Sequence, residues 1–250
     1  MILYYHAVPD ELRARFAAQM DDVKRYAKPI YADNNHSLEP GNRYVAVTFE
    51  DGYQNVVDNA VPELAKREIP CTIFIVTDAL GRVPNWIGYS PALGGPIVSE
   101  ENLKRLPSDL VKIGSHTLTH PILSRLTEAA ARKEIVASRA RLHDILKQEV
   151  DLLSFPYGAF NENIVQMSRQ AGYRRVFTTL PYRAFRIADE YVVGRVKADP
   201  EDWVFEFRLK IAGAYRWLPF GFALKRKLFE GLGFGPYDGL RKLSELGSQD

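Results

Sequence analysis

Short apolar runs and amphipathic helical patterns take turns along most of this chain, and that alternation limits the fold more than any other feature of the sequence. Apolar runs at 2–8, 44–49, 71–76, 111–114, 152–155, 175–178 and 191–196 read as strands. Helical patterns separate them. Over 11–26, Leu12, Phe16, Met20 and Val23 recur at steps of three and four; further helices read at 55–67, 101–106 and 162–171. The longest helix starts behind Thr127 as N-cap and runs to Gln148, with Ala131, Ile135, Ser138, Leu142 and Ile145 on its buried face. About seven strands spaced by helices predict a parallel α/β sheet or barrel. In such folds reactive side chains collect where strands end. Residues 80–99, rich in Gly and Pro, read as a long loop.

Composition narrows the partners and the setting. Among 250 residues, 33 basic and 31 acidic ones leave a net charge of +2, too balanced to argue for nucleic acid. Cys71 is the single cysteine, so an intrachain disulfide and a cysteine-rich zinc site are both excluded, and Cys71 is expected in the core. The start, Met1-Ile2-Leu3-Tyr4-Tyr5-His6, reads as a strand rather than a leader, and no window approaches the roughly 18 apolar residues of a membrane span. A cytoplasmic location is expected. The composition changes near the end, which suggests a main domain over 1–201 and a helical extension over 202–250. Arg208, Lys210, Arg216, Lys225, Arg226 and Lys227 there interleave with Tyr215, Trp217, Phe220 and Phe222. Two readings stay open for this tail: peripheral contact with an anionic inner membrane surface, or an amphipathic helix that closes the barrel.

Three strand ends carry unusual residues. Thr48-Phe49-Glu50-Asp51-Gly52 sets two carboxylates beside a turn glycine, which by itself is also a common polar turn. Ser115-His116-Thr117-Leu118-Thr119-His120 spaces two histidines four apart, so that both imidazoles can face one point as metal ligation requires. Ser154-Phe155-Pro156-Tyr157-Gly158 is a turn that can aim a backbone N–H into a pocket. Together an aspartate and two histidines make a three-ligand metal site with open positions, and a neighbouring carboxylate can serve as general base.

These three motifs, in this order, resemble those of the polysaccharide deacetylases (NodB homology, family four carbohydrate esterases), over roughly residues 1–200. The resemblance implies a distorted (β/α) barrel of about seven parallel strands that removes N-acetyl groups from amino sugars with a divalent metal, often zinc. It implies Asp51, His116 and His120 as metal ligands, Glu50 as base, and the Tyr157 N–H as part of the oxyanion site. Three departures stand out. Glu50 replaces the usual aspartate, and the added methylene can move the base by about 1 Å, a shift that can cost roughly 100-fold in rate. Ser154-Phe155 replaces the arginine usual before Pro-Tyr-Gly. No histidine follows His143 to act as general acid. His6, in Tyr5-His6-Ala7-Val8 at the first strand end, is the expected substitute, because a barrel brings its first and last strands together. A satisfied core histidine is the other reading of His6, and decay to an inactive protein the other reading of the missing motifs.

Weaker candidates remain. His36 reads as a loop residue and His143 as part of a solvated helix face. Trp86 either stacks on a sugar or packs its loop. Arg195 either orients Glu50 in place of the missing arginine or makes a surface ion pair. The expected function is therefore metal-dependent N-deacetylation of an N-acetylated glycan. A glycan-binding scaffold of the same fold and a deacylase for another amide are the alternatives.

Overall fold

The computed structural model describes residues 1–34, 38–86, 89, 95–179 and 190–217. Among these residues nine strands form one parallel sheet: β1 (Ile2–Tyr5), β2 (Lys28–Pro29), β3 (Tyr44–Phe49), β4 (Cys71–Ile75), β5 (Val111–Ser115), β6 (Leu152–Ser154), β7 (Arg175–Thr178), β8 (Val192–Gly194) and β9 (Val196–Lys197). Their order is β8-β7-β6-β5-β4-β3-β1-β9, with β2 beside β3. The two ends of that order are consecutive in sequence. The run expected as one last strand is broken at Arg195: its first half pairs with β7, its second with β1. The sheet is thereby nearly closed into the expected barrel, with seven strand positions around it once β8 and β9 count as one crossing and β2 is set aside.

The helices are α1 (Arg13–Tyr26), α2 (Val61–Ala65), α3 (Glu100–Lys104), α4 (Glu128–Leu146), α5 (Glu162–Gln170) and α6 (Val204–Ala212). Thr127 caps α4 by accepting from the Ala130 N–H, and Asn161 caps α5 by accepting from that of Ile164. Ala131, Ile135, Ser138 and Leu142 form the buried face of α4 as the spacing predicts, and His143 is exposed. The helix expected over 55–67 is less regular. A wide turn, Val56–Ala60, leads into α2, with the Val61 N–H reaching back to Val56 O. The next residue, Pro62, has no N–H to continue the ordinary pattern.

Strand alternation sorts the sheet into two layers. Ile2, Ala46, Phe74, Leu152, Phe177 and Val193 pack with Ala32 as one cluster inside the barrel. Leu3, Tyr5, Val47, Phe49 and Ile73 belong to a larger cluster that the helices cover, and buried Cys71 lies in it. Phe207 and Ile211 of α6 join this same cluster with Phe16 and Met20 of α1. Two basic residues of the tail are held in ion pairs, Arg208 with Asp22 and Lys210 with Asp202. The tail beyond 217 and His36 lie outside the described residues. No helix among the described residues is long and apolar enough to cross a membrane.

Counting inward by twos carries each column to the site: Ile2, Tyr4, His6; Ala46, Thr48, Glu50; Gly114, His116; Leu152, Ser154; Val193, Arg195. Gly114 leaves room for Phe74, since a Cβ there would lie 2.5 Å from that ring and 3.1 Å from Leu152 O. Gly114→Ala should therefore lower stability by about 1–3 kcal/mol in denaturant unfolding, as overpacking does; an unchanged midpoint would show that the interior yields freely. At the opposite end of the barrel, buried Asp33 accepts from Lys112 at 2.7 Å and Arg174 at 2.6 Å. Burial opposes its ionisation, but the two cations outweigh burial and hold its carboxyl below the usual range. Its contribution is thus complete above the unfolded carboxylate pKa of about 3.9 and lost as pH falls through the lower folded value. Asp33→Asn should lower stability at neutral pH and flatten its decline below about pH 4, measured by urea unfolding across pH.

Candidate active site

Glu50 continues the inward column of β3, and the chain then turns sharply. Asp51 has φ +66° and Gly52 +84°, and the Gly52 N–H donates back to Glu50 O at 2.7 Å. A Cβ on Gly52 would meet the Ile75 side chain at 2.5 Å, so this turn needs glycine. The left-handed backbone at Asp51 is unfavourable for a residue with a Cβ, and it brings Asp51 round to face the histidines.

His116 directly follows β5. Its Nδ1 lies 2.9 Å from Ser154 O, which leaves Nε2 turned to Asp51 Oδ1 at 3.6 Å. His120 Nε2 is 3.4 Å from the same oxygen, and the two imidazoles lie 4.8 Å apart. One ligand atom from each of Asp51, His116 and His120 falls within 4.8 Å of the others, and all three residues are buried. Asp51 Oδ1 has no hydrogen-bond partner among the described residues. Burial pushes the His116 pKa down to about 4 and, with His116 alongside, that of His120 to about 2; both rings are neutral at neutral pH. Burial and the adjacent Glu50 push Asp51 up to about 8. Two neutral imidazoles around a buried carboxylate oxygen without a partner are a donor set that fits a divalent cation. The carbonyl contact on His116 is the kind of support that orients a ligating ring.

Glu50 is the other centre. Its Oε1 accepts from Arg195 at 2.5 Å and from Ser154 Oγ at 2.7 Å, and its Oε2 lies 3.6 Å from His6 Nε2. Burial opposes its charge, yet the Arg195 guanidinium, with the neighbouring histidines and Ser154, holds the carboxyl well below the usual range. Arg195 is itself fully buried and also donates to Ser154 Oγ and Thr48 Oγ1. Its guanidinium lies over Tyr4, Phe74 and Phe177 at 5.1–5.6 Å. The surface ion pair is thus excluded, and Arg195 orients Glu50. Ser154, which sequence reasoning noted only as a replacement, shares that task; its place two residues past Leu152 on the inward column was the available signal.

His6 sits at the rim with a third of its side chain exposed, edge-on to Tyr4. Burial lowers its pKa against the pull of Glu50. Tyr157 has φ +59°, and its ring lies 4.7 Å from that of His120. The turn is fixed by Gly158, whose O accepts from Thr178 Oγ1 and where an added Cβ would strike Thr179 Oγ1 at 2.1 Å. Trp86 packs against the main core and lies 4.7 Å from the His120 ring, the loop-packing reading of this residue. All six predicted site residues therefore gather at one end of the barrel.

This barrel is the fold of the NodB-like (β/α) deacetylases. IcaB from Ammonifex degensii matches it with TM-score 0.71 and 26% identity over 84% of this chain and 96% of that one. A Streptococcus pyogenes deacetylase, PplD, solved with acetate, shares the fold at TM-score 0.69 and 19% identity, over 84% and 96%. The sequence model of the polysaccharide deacetylase family matches residues 37–176, and the chain belongs to that family. The poly-beta-1,6-N-acetyl-D-glucosamine N-deacetylase of Staphylococcus epidermidis is 26% identical over 163 residues, 62% of this chain and 54% of that protein. YxkH of Bacillus subtilis, named for the same family, is 28% identical over 162 residues, 65% of this chain and 54% of that one. The chain spans about half the length of these curated relatives.

If the three residues act as one ligand set, Asp51→Asn and His120→Ala should each weaken zinc binding by about 100-fold or more in competition with a chromogenic chelator. Wild-type affinity in either variant would remove that residue from the set.

Proposed function

We propose that this protein hydrolyses the N-acetyl group of amino sugars in a polysaccharide or glycan precursor, using a divalent metal, with zinc the expected ion. The carrying observation is Glu50: Arg195 and Ser154 hold Oε1, which lies 3.9 Å from His116 Nε2 of the Asp51, His116, His120 group, and leave Oε2 beside His6. The name of the Staphylococcus epidermidis relative supports an N-acetylglucosamine polymer as the substrate class.

Asp51, His116 and His120 would hold the metal, which supplies Lewis acidity at the amide carbonyl and acidifies a water. Glu50, kept anionic by Arg195, accepts the water proton on Oε2. A C–O bond forms at the carbonyl carbon as its oxygen gains charge, and the Tyr157 backbone N–H helps to hold that charge. The proton on Glu50 passes to His6 Nε2, 3.6 Å from Oε2, and His6 gives it to the nitrogen as the C–N bond breaks, leaving a free amino sugar and acetic acid, which ionises to acetate as the amine takes up its proton. Water enters once and nothing else is consumed. Oriented carboxylate, neutral imidazoles and a strained Asp51 are costly to bury together, and a scaffold freed from catalysis gains stability by replacing them.

Acetate release from an N-acetylglucosamine oligomer tests the reading. Glu50→Gln should lower kcat by roughly 10²–10⁴ with zinc affinity intact, because Glu50 is a base and not a ligand. His6→Ala should lose turnover on the sugar yet keep much more of it on p-nitroacetanilide, whose leaving amine needs little protonation. Equal losses on both substrates would take the acid role away from His6.

A further inference from the structure

His116 and His120 sit at the two ends of a short loop that main-chain geometry disfavours. Thr117 has φ +69° and His120 +64°, left-handed values that a β-branched residue in particular avoids. The loop is gripped on two sides. From the segment after β4, the Thr77 and Asp78 N–H groups donate to the carbonyls of Thr117 and Leu118. From α4, two residues one turn apart reach it. Ser138 bonds Ser115 Oγ, which accepts from the Thr117 N–H. Glu134 takes three hydrogen bonds: Oε2 accepts from the N–H groups of Leu118 and Thr119 at 2.9 Å each, and Oε1 from Thr119 Oγ1 at 2.6 Å.

We propose that Glu134 is a positioning residue for the metal centre, holding the loop so that His116 and His120 converge on Asp51. The inference rests on the reading that these three residues bind a divalent cation. Glu134 has no hydrogen bond to a ligand side chain and acts through the loop between them, by the Leu118 and Thr119 N–H groups and the Thr119 hydroxyl. Two N–H donors that would otherwise turn to water are locked to one carboxylate on a rigid helix, and that contact selects the left-handed loop over relaxed alternatives.

The test compares wild type with Glu134→Ala, Glu134→Gln and, as a control on the exposed start of the same helix, Glu128→Ala. Zinc affinity is read by chelator competition, ligand geometry by the visible spectrum of the cobalt-loaded protein, and loop closure by hydrogen exchange at Leu118 and Thr119 in the metal-free protein. Glu134→Ala should bind zinc about 10–100-fold more weakly, shift the cobalt spectrum and expose both amides. Glu134→Gln should recover most of the affinity, its amide oxygen accepting both N–H groups while its NH₂ donates to Thr119 Oγ1. Glu128→Ala should match wild type. If Glu134→Ala does not fold, Glu134→Asp, one methylene short of the loop, takes its place with the same expectations. Wild-type zinc affinity and cobalt spectrum in the folded Ala or Asp variant would overturn the proposal. A wild-type protein that binds no zinc would instead overturn the metal reading beneath it.

Discussion

One buried ion pair organises this molecule. Arg195 lies between the apolar interior of the barrel and the polar cluster at its mouth, with Tyr4, Phe74 and Phe177 around its guanidinium and Glu50, Ser154 and Thr48 as its hydrogen-bond partners. A guanidinium suits that boundary because its faces tolerate aromatic rings while its edge carries the donors. The same residue marks the break between β8 and β9, where the chain passes from the β7 edge to the β1 edge. Barrel closure and the orientation of Glu50 therefore depend on one position. Removing either partner would leave a buried charge without compensation, which is why the pair constrains everything around it.

Two carboxylates adjacent in sequence end in opposite electrostatic states. Both are buried, which raises both. Glu50 meets a permanent cation and is held low, whereas Asp51 has the negative Glu50 beside it and is raised, the Tyr53 hydroxyl offsetting only part of that rise. A divalent cation is the natural counter-charge for Asp51, and the left-handed turn at Asp51 separates its direction from that of its neighbour. In the proposed mechanism this difference in environment is what would suit one residue to the base role and the other to the ligand role, in a Glu-Asp pair that looks symmetric on paper.

Much of this was legible in the sequence, and what was not has physical causes. The strands at 44–49 and 175–178 and the Thr127 cap follow from local patterns, and the structure has them at the same residues. The gathering of Glu50, Asp51, His116, His120, Tyr157 and His6 follows from all of them ending strands of one parallel barrel. The break at Arg195 was not legible, because Tyr191 to Val196 is one apolar run and only closure of the sheet supplies two different partners for its halves. Burial of Arg195 went unseen because arginine is ordinarily a surface residue, and nothing local announces aromatic rings brought in from three other strands. Strand alternation turns Ser154 inward but does not reveal Glu50, 104 residues away, as its partner, and Glu134 escaped because its hydrogen bonds reach a loop 15 residues earlier in the chain, which no local pattern encodes.

The most direct measurement is a double-mutant cycle between Arg195→Met and Glu50→Gln, read as kcat/KM for acetate release from the N-acetylglucosamine oligomer. If Arg195 acts by holding Glu50 as an oriented anion, each single variant is severely impaired and the double variant is no worse than Glu50→Gln alone. Fully additive losses would mean that Arg195 contributes independently of Glu50, and would contradict the account.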